Sequence, residues 1–335
     1  MNDTFHNCWF LTGATAVGKT AVGIALARRL GAEIVSLDSM TVYRGMDIGT
    51  AKPTTEEQAA VPHHLLDIVD PADEYSVAQY VDDAAATVAA IRSRGREVLF
   101  VGGTPLYLKS LLRGLFEGPP ANWELRNEIE AELEAVGQAA LHERLKQVDP
   151  VAASAIHPHD TRRMIRALEV YRATGEPLSH QQLTFEDGRP ADECRVFVLR
   201  RERTELHRRI EGRVEAMIDV GLVEEVRRLL EAGCWMLDAG DRASSIQHPA
   251  PSPQPPAPSP FGRTASQAVG YREALALLAG ECDQAEMIAR IQARTRRFAK
   301  RQGTWFRSLS ECRFVDITGD VDADIVAERI VRAAV

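Results

Sequence analysis

GATAVGKT occupies Gly13 to Thr20 and matches the phosphate-loop pattern G-x-x-x-x-G-K-[ST]. A short apolar run, Asn7 to Leu11, precedes the loop, and Ala21 to Leu30 has the apolar spacing of a helix. In this context, successive backbone N–H groups, the positive end of the helix and the Lys19 ammonium suit phosphate oxygens. The hydroxyl of Thr20 is expected to hold Mg²⁺. The loop does not identify its ligand, because it suits ATP, GTP or another diphosphate equally.

Strand patterns alternate with helical patterns on the C-terminal side of this loop. Glu33 to Leu37, Glu97 to Val101 and Arg195 to Leu199 have the composition of buried strands. Long helical patterns run from about residue 205 to 231 and from about 285 to 301. This alternation predicts an α/β fold, with a P-loop NTPase-like parallel sheet flanked by helices.

The length of the chain predicts two domains, because 335 residues exceed the size at which one hydrophobic core usually stops growing. Trp123 to Gly175 has a helical pattern throughout. We therefore predict a P-loop core of residues 1–117 and 189–335, with an all-helical insertion of residues 118–188. Seven of the twelve residues from Pro249 to Pro260 are proline. Such a segment cannot form a helix or central strand, so residues 244–262 are predicted to form a mobile loop.

Composition restricts the class of protein. The sequence has no run of about 18 apolar residues and no secretory start, so we expect a cytoplasmic protein without a membrane span. Its five cysteines and the pairs His63/His64 and His157/His159 lack metal-ligand spacing. The formal charge of −8 means that any nucleic-acid site must be a local basic patch.

Several longer segments resemble the tRNA dimethylallyltransferase family, in order and over nearly the whole chain. They are SLDSMTVYRGMDIGTAKPT (Ser36 to Thr54), PHHLLDIVDP (Pro62 to Pro71), VGGTPLYLKSLL (Val101 to Leu112), DPVAASAIHPHDTRRMIRALEVYRATG (Asp149 to Gly175), AVGYREAL (Ala268 to Leu275) and ARTRRFAKRQGTWFR (Ala293 to Arg307).

The resemblance implies an enzyme that alkylates the exocyclic amine of the adenosine 3′ of the tRNA anticodon. The donor is dimethylallyl diphosphate, diphosphate is released, and Mg²⁺ is the cofactor. Family members are often described as ATP-binding because of the loop, but ATP is not expected to be consumed. The residues implied to hold the diphosphate are Gly13, Ala14, Thr15, Ala16, Val17, Gly18, Lys19 and Thr20.

Four residues match the catalytic positions of the family. An adenine amine is a weak nucleophile, so a carboxylate that takes its proton helps, and Asp38 follows a predicted strand where ligands collect in parallel sheets. Lys19 and Arg213 would meet the charge that develops on the diphosphate, with Arg209 as a rival to Arg213. Asp38 could instead form a turn or helix cap. Thr104 could bond the donor or the base, or only cap a helix; each of these readings stays open.

The resemblance also implies a set of tRNA contacts, and some of these lie in the helical insertion of residues 118–188, which is therefore predicted to bind tRNA. Ala293 to Arg307 combines six Lys or Arg residues with Trp305, as suits a site that captures unpaired bases. The implied contacts are Asp38, Ser39, Met40, Thr41, Thr104, Arg126, Arg162, Arg163, Arg166, Gln267, Gly270, Tyr271, Arg272, Lys300, Arg301, Gln302, Thr304, Trp305 and Arg307.

Two departures and two other functions remain open. Gln267-Ala268 stands where the family usually has an arginine-cysteine pair, which puts one base contact in doubt, and Gly303 replaces a β-branched residue.

The loop would also suit a small-molecule kinase using ATP, or a nucleotide-dependent RNA-binding switch without covalent chemistry. We expect a monomer whose partners are the tRNA anticodon stem-loop and dimethylallyl diphosphate.

Overall fold

A parallel sheet lies at the centre of the computed structural model, which describes residues 3–114, 118–119, 121–182, 188–240, 261–262, 264–320 and 322–334. Its strands are β1 (Trp9–Gly13), β2 (Ala32–Ser36), β3 (His63–His64), β4 (Glu97–Gly102), β5 (Val196–Arg200) and β6 (Cys312–Asp316). Their spatial order is β3-β2-β4-β1-β5-β6, and all neighbouring pairs are parallel. The predicted α/β class is therefore confirmed.

Helices follow the strands in the alternating manner that a parallel sheet requires. In chain order they are α1 (Lys19–Leu30), α2 (Thr55–Ala60), α3 (Val77–Ser93), α4 (Pro105–Arg113), α5 (Trp123–Val148), α6 (Pro150–Ala155), α7 (Thr161–Thr174), α8 (Leu178–Gln182), α9 (Arg203–Val220), α10 (Leu222–Gly240), α11 (Tyr271–Leu278), α12 (Gln284–Arg307) and α13 (Ala323–Ala333). Within the described part of the chain, no helix combines the length and apolar character needed to cross a membrane.

Two apolar clusters stabilise the sheet-containing unit. Leu11 of β1 and Phe197 of β5 share one cluster with Leu26 of α1 and Ile330 of α13. The second cluster joins the segment after β2 to helices α9 to α12. Each buried large apolar side chain contributes about 1.5–3 kcal/mol through its removal from water, so these clusters hold the strand ends in place.

Residues 113–188 form a separate compact unit, and residues 2–112 and 189–335 form the other. The smaller unit contains α5 to α8 around a cluster that includes Ile129, Leu141 and Leu168. Gly137 interrupts α5 with a φ of 81°, a conformation that glycine adopts without strain. The predicted domain boundaries and the tRNA-binding role of the insertion stay predictions.

The sequence patterns placed the main strands within two residues of their observed bounds, but they missed several elements. β3 has only two residues, and β6 carries partly exposed polar residues at the sheet edge, so neither has a strong apolar pattern. The single helical stretch predicted from 205 to 231 is two helices, because Gly221 ends α9 with a φ of 106°. The predicted loop 244–262 lies outside the described residues, except for Phe261 and Gly262.

Gly102 is expected to be intolerant of a side chain. A Cβ there would lie 2.2 Å from the carbonyl oxygen of Leu37, and backbone atoms cannot move aside cheaply. We expect Gly102→Ala to lower the free energy of unfolding by about 1–3 kcal/mol, as overpacking does. Gly212→Ala in α9 is the control, since nothing lies within 4 Å of that Cβ. It should stabilise the protein by about 0.4–1 kcal/mol in urea unfolding; equal effects of the two changes would contradict this account.

Candidate active site

The phosphate loop connects β1 to α1, as the sequence predicted. Gly13 has a φ of 145° and lies against β5, where a Cβ would meet the carbonyl oxygen of Leu199 at 2.6 Å. Gly18 has a φ of 107° and immediately precedes α1, which begins at Lys19. The free N–H groups and the positive end of α1 therefore face the loop, an arrangement that favours anions.

Lys19 has no counter-anion in direct contact among the described residues. Its Nζ donates to the carbonyl oxygens of Gly13, at 3.1 Å, and Ala14, at 2.9 Å. Burial lowers the pKa of Lys19 to about 8, with the charge of Asp38 raising the pKa and that of Arg213 lowering it. A bound anion would raise the pKa of Lys19 again, because it would stabilise the charged ammonium.

Three arginines surround the outer side of the loop. Arg213 donates from Nη1 to the Thr15 hydroxyl at 3.3 Å, and Arg209 donates from Nε to the carbonyl oxygen of Ala16 at 3.0 Å. Arg201 donates from Nε to the carbonyl oxygen of Val17 at 2.9 Å, and its side chain is buried. Arg201 was not a sequence-based candidate, although its position directly after β5 was the available signal.

The electrostatics distinguish Arg213 from its rival Arg209. Burial lowers the pKa of Arg213, whereas the charge of Asp38 raises it and that of Arg209 lowers it. Arg213 therefore shares one charge network with Lys19 and Asp38, while the hydrogen bond of Arg209 goes to a backbone carbonyl. This arrangement favours Arg213 as the arginine that meets a bound anion.

Asp38 lies two residues beyond the end of β2, at the carboxyl edge of the sheet. Its Oδ1 accepts a hydrogen bond of 2.9 Å from the backbone N–H of Met40, so it forms the turn that was one reading of the sequence. Burial raises the pKa of Asp38, although the Met40 N–H and the charges of Lys19 and Arg213 lower it. A carboxylate with a raised pKa is a better proton acceptor, so the turn and a catalytic role are compatible.

Thr104 lies at the end of β4, beside the segment that contains Asp38. Its hydroxyl accepts a hydrogen bond of 3.0 Å from the backbone N–H of Ser39, and its own N–H donates to the carbonyl oxygen of Leu37 at 3.1 Å. Simple capping of α4 is therefore not the arrangement observed. Thr104 instead fixes the turn next to Asp38, with its hydroxyl 3.4 Å from the hydroxyl of Ser39.

Helix α12 presents only some of its predicted tRNA contacts to solvent. The exposed residues are Lys300, Arg301, Thr304 and Arg307, and Trp305 is partly exposed. Gln302 is only 2% exposed and accepts a hydrogen bond of 2.9 Å from the N–H of Thr15. Helical periodicity therefore turns Gln302 inward, and its tRNA contact stays a prediction.

Most residues of the segment from Gln267 to Arg272 are also buried or partly buried. Tyr271 is fully buried, and its hydroxyl donates to Glu225. Ala268 is buried in the apolar cluster that also contains Tyr271. Arg272 is the exposed cation of the segment. The polar atom of Tyr271 is thus used inside the protein, and its tRNA contact stays a prediction. Gln267 is partly exposed, and Gly270 adopts a φ of 97° at the start of α11.

Two of the predicted tRNA contacts in the insertion bind a buried carboxylate. Arg126 and Arg166 contact Glu169 at 3.0 Å and 2.9 Å, and Glu169 is fully buried. Burial acts to raise the pKa of Glu169, but the arginines and the N–H of Asn122 together hold it below its usual value. Arg126 and Arg166 therefore stabilise the insertion, whereas Arg162 and Arg163 are exposed and able to meet phosphates.

The remaining candidates lie close to the strand ends. Ser39 and Met40 are partly exposed, while Thr41 is buried and its hydroxyl lies 2.8 Å from that of Ser36. Thr20 is partly exposed in the first turn of α1. Among the described residues, no group of three or more His, Cys, Asp or Glu side chains could enclose a metal. Thr20 therefore suits Mg²⁺ only if phosphate oxygens and water supply the other ligands, as this ion often requires.

Comparison with known proteins gives extended similarity. An IPP transferase family profile matches residues 41–309. A tRNA dimethylallyltransferase of Rhodopirellula baltica is 47% identical over 318 residues, covering 92% of this chain and 87% of that protein. A tRNA dimethylallyltransferase of Geobacter metallireducens is 45% identical over 314 residues, covering 93% of each.

Solved structures share the same architecture. The full-length tRNA isopentenylpyrophosphate transferase of Bacillus halodurans has a TM-score of 0.61 at 37% identity and covers 98% of both chains. A eukaryotic dimethylallyltransferase acting on tRNA has a TM-score of 0.68 at 26% identity, covering 92% of this chain and 73% of the other.

The pKa of Lys19 is expected to be about 8 in the free protein and to respond to its neighbours. Inorganic diphosphate should raise this pKa, because an anion favours the charged amine. Asp38→Asn should lower it further, because the carboxylate normally raises it. A ¹³C NMR titration of the lysine ε carbons measures the value, with only five lysines to resolve and Lys19→Arg for assignment. A pKa near the ordinary 10.5 that does not change when diphosphate is added would contradict the geometry.

Proposed function

This chain belongs to the IPP transferase family and is a tRNA dimethylallyltransferase, and we propose that the site described above performs its reaction with dimethylallyl diphosphate as donor. The acceptor is the exocyclic amine of the adenosine 3′ of the anticodon, and diphosphate is released. The observation that carries the assignment of the site is the convergence of three charged residues at one edge of the sheet. Asp38 follows β2, Lys19 bonds to carbonyl oxygens of the phosphate loop, and Arg213 donates to Thr15 of the same loop. This convergence brings a proton acceptor together with cations suited to a diphosphate.

In the proposed step, the adenine nitrogen forms a bond to C1 of the dimethylallyl group. The bond between C1 and the bridging oxygen breaks, and its electron pair leaves with the diphosphate. Asp38 accepts the proton that the amine loses, and the raised pKa of its carboxyl group suits that task. The target base must leave its stack to reach the carboxylate, as chemistry on a base generally requires.

The departing diphosphate gains negative charge, which the phosphate loop and its cations are arranged to meet. Lys19 and Arg213 are both partly withdrawn from water, and electrostatic stabilisation is stronger in such surroundings. Mg²⁺ bound by the Thr20 hydroxyl and by phosphate oxygens would supply further charge neutralisation when present. The partly exposed position of Thr20 at the start of α1 supports this assignment.

We propose that the RNA is held by exposed cations of α12 and of the insertion. Lys300, Arg301 and Arg307 lie on one helix with the partly exposed Trp305, which combines phosphate contacts with a stacking surface. Arg162 and Arg163 would add phosphate contacts from the insertion. Cytoplasmic localisation and a monomeric state fit this function and remain proposals.

Asp38→Asn should abolish most prenyl transfer while keeping the turn, because an amide oxygen still accepts the Met40 N–H. We expect a loss in kcat of about 100- to 10,000-fold, the usual contribution of a general base. Transfer to unmodified tRNA is measured by mass spectrometry of digested nucleosides. Asp324→Asn, at an exposed position, is the matched control and should retain activity. An unimpaired Asp38→Asn would refute the assignment.

In the wild type, activity should fall on acidification through a pKa above the ordinary aspartate value.

Arg213 and Arg209 should differ in their effect on the donor. Removing a cation that meets the leaving group costs about 100- to 1,000-fold in kcat, so we expect that loss for Arg213→Ala. Arg209→Ala removes a hydrogen bond to a backbone carbonyl rather than a cation that meets the leaving group, so its loss in kcat should be much smaller than that of Arg213→Ala. Steady-state kinetics at saturating tRNA separates the two. The reverse order would identify Arg209 as the functional arginine.

A further inference from the structure

Gln302 is a buried polar side chain whose two hydrogen bonds join two walls of the candidate site. Its Oε1 accepts from the backbone N–H of Thr15 at 2.9 Å, and its Nε2 donates to the carbonyl oxygen of Gly103 at 2.6 Å. The side chain is only 2% exposed. A buried amide is tolerated because both of its polar ends are bonded, and each end would be costly if left without a partner.

Each of these partners belongs to a different part of the site. Thr15 is in the phosphate loop, and its hydroxyl accepts a hydrogen bond from Arg213. Gly103 precedes Thr104, whose hydroxyl fixes the turn beside Asp38. A single side chain therefore connects the wall that would hold the diphosphate to the wall next to the proton acceptor.

The space around Gly103 shows how tightly Gln302 fits. A Cβ at Gly103 would lie 2.7 Å from Nε2 of Gln302 and 3.4 Å from both Nζ of Lys19 and the carbonyl oxygen of Gly13. Moving the amide would therefore change the contacts of the phosphate loop. The same helix carries Lys300 and Arg301, which are exposed.

We propose that Gln302 is a positioning residue, which sets the separation between the bound diphosphate and the edge formed by Asp38 and Thr104. The proposal rests on the proposed function and deepens it. Gln302 does not contact the RNA; it fixes the phosphate loop to the helix that presents the RNA-facing cations. A misplacement of about 1 Å between reacting groups costs about 100-fold in rate, so loss of these hydrogen bonds should act on the chemical step.

The main experiment separates kcat from RNA binding in Gln302→Met, which keeps the length of the side chain and removes both hydrogen bonds. Single-turnover prenyl transfer at saturating donor should fall by about 30- to 100-fold. The Kd for unmodified tRNA should stay within about twofold, because no RNA contact is removed. Gln302→Glu, which keeps the acceptor and loses the donor, should also slow the single-turnover rate and provides a second variant if Gln302→Met unfolds.

Gln284→Met is the matched control, because Gln284 is exposed at the first turn of the same helix. It should leave the rate and the Kd unchanged. Weaker tRNA binding with an intact single-turnover rate in Gln302→Met would overturn the proposal and make Gln302 an RNA contact. Wild-type rates in both Gln302 variants would overturn it as well. Absence of transfer by the wild type would instead refute the proposed function.

A double substitution tests the geometry itself. Gly103→Ala alone should slow single-turnover transfer, because its Cβ would lie 2.7 Å from Nε2 of Gln302 and would displace the amide from its two hydrogen bonds. In the Gln302→Ala background that atom is gone, so adding Gly103→Ala should cost much less. Losses that multiply independently would show that the two positions are uncoupled, and would overturn the proposal.

Discussion

The withdrawal of the Lys19 ammonium from water is the interaction on which the rest of the site depends. The amine is held by carbonyl oxygens of the loop, and burial lowers its pKa to about 8. Burial of the Asp38 carboxyl group at the same edge of the sheet raises its pKa, while the opposite charges of Lys19 and Asp38 partly offset both shifts. Burial therefore leaves the Lys19 ammonium to be stabilised by a bound anion, and it makes the Asp38 carboxylate a better base.

The strand order explains why these groups meet. β2, β4, β1 and β5 are neighbours in the sheet, and they are followed by Asp38, Thr104, the phosphate loop and Arg201. Parallel strands end at the same edge, so residues from distant parts of the sequence converge there. Helix α12 completes the arrangement through Gln302, which ties the phosphate loop to the end of β4.

The sequence predicted those parts of the molecule that depend on local patterns. The phosphate loop and the four main strands carry strong signals, because glycines, apolar runs and helix starts are read over a few residues. The face of a helical residue is harder to predict in a basic helix, and this is why Gln302 was assigned to the RNA surface although it is buried. The roles of Arg126 and Arg166 depend on Glu169, which is 43 and 3 residues away, and the more distant pairing has no local signature. The catalytic assignments came from resemblance, and the structure adds their charge network.

We propose that the loop holds the diphosphate of an isoprenoid donor rather than a nucleotide that is consumed. The most direct measurement incubates the protein with unmodified tRNA, dimethylallyl diphosphate and Mg²⁺, with and without ATP, and quantifies prenylated adenosine, diphosphate and ATP together. We expect one diphosphate to be released for each prenylated adenosine, with ATP left intact and not required. If the protein does not use dimethylallyl diphosphate and instead cleaves or transfers the terminal phosphate of ATP, the proposed function is contradicted.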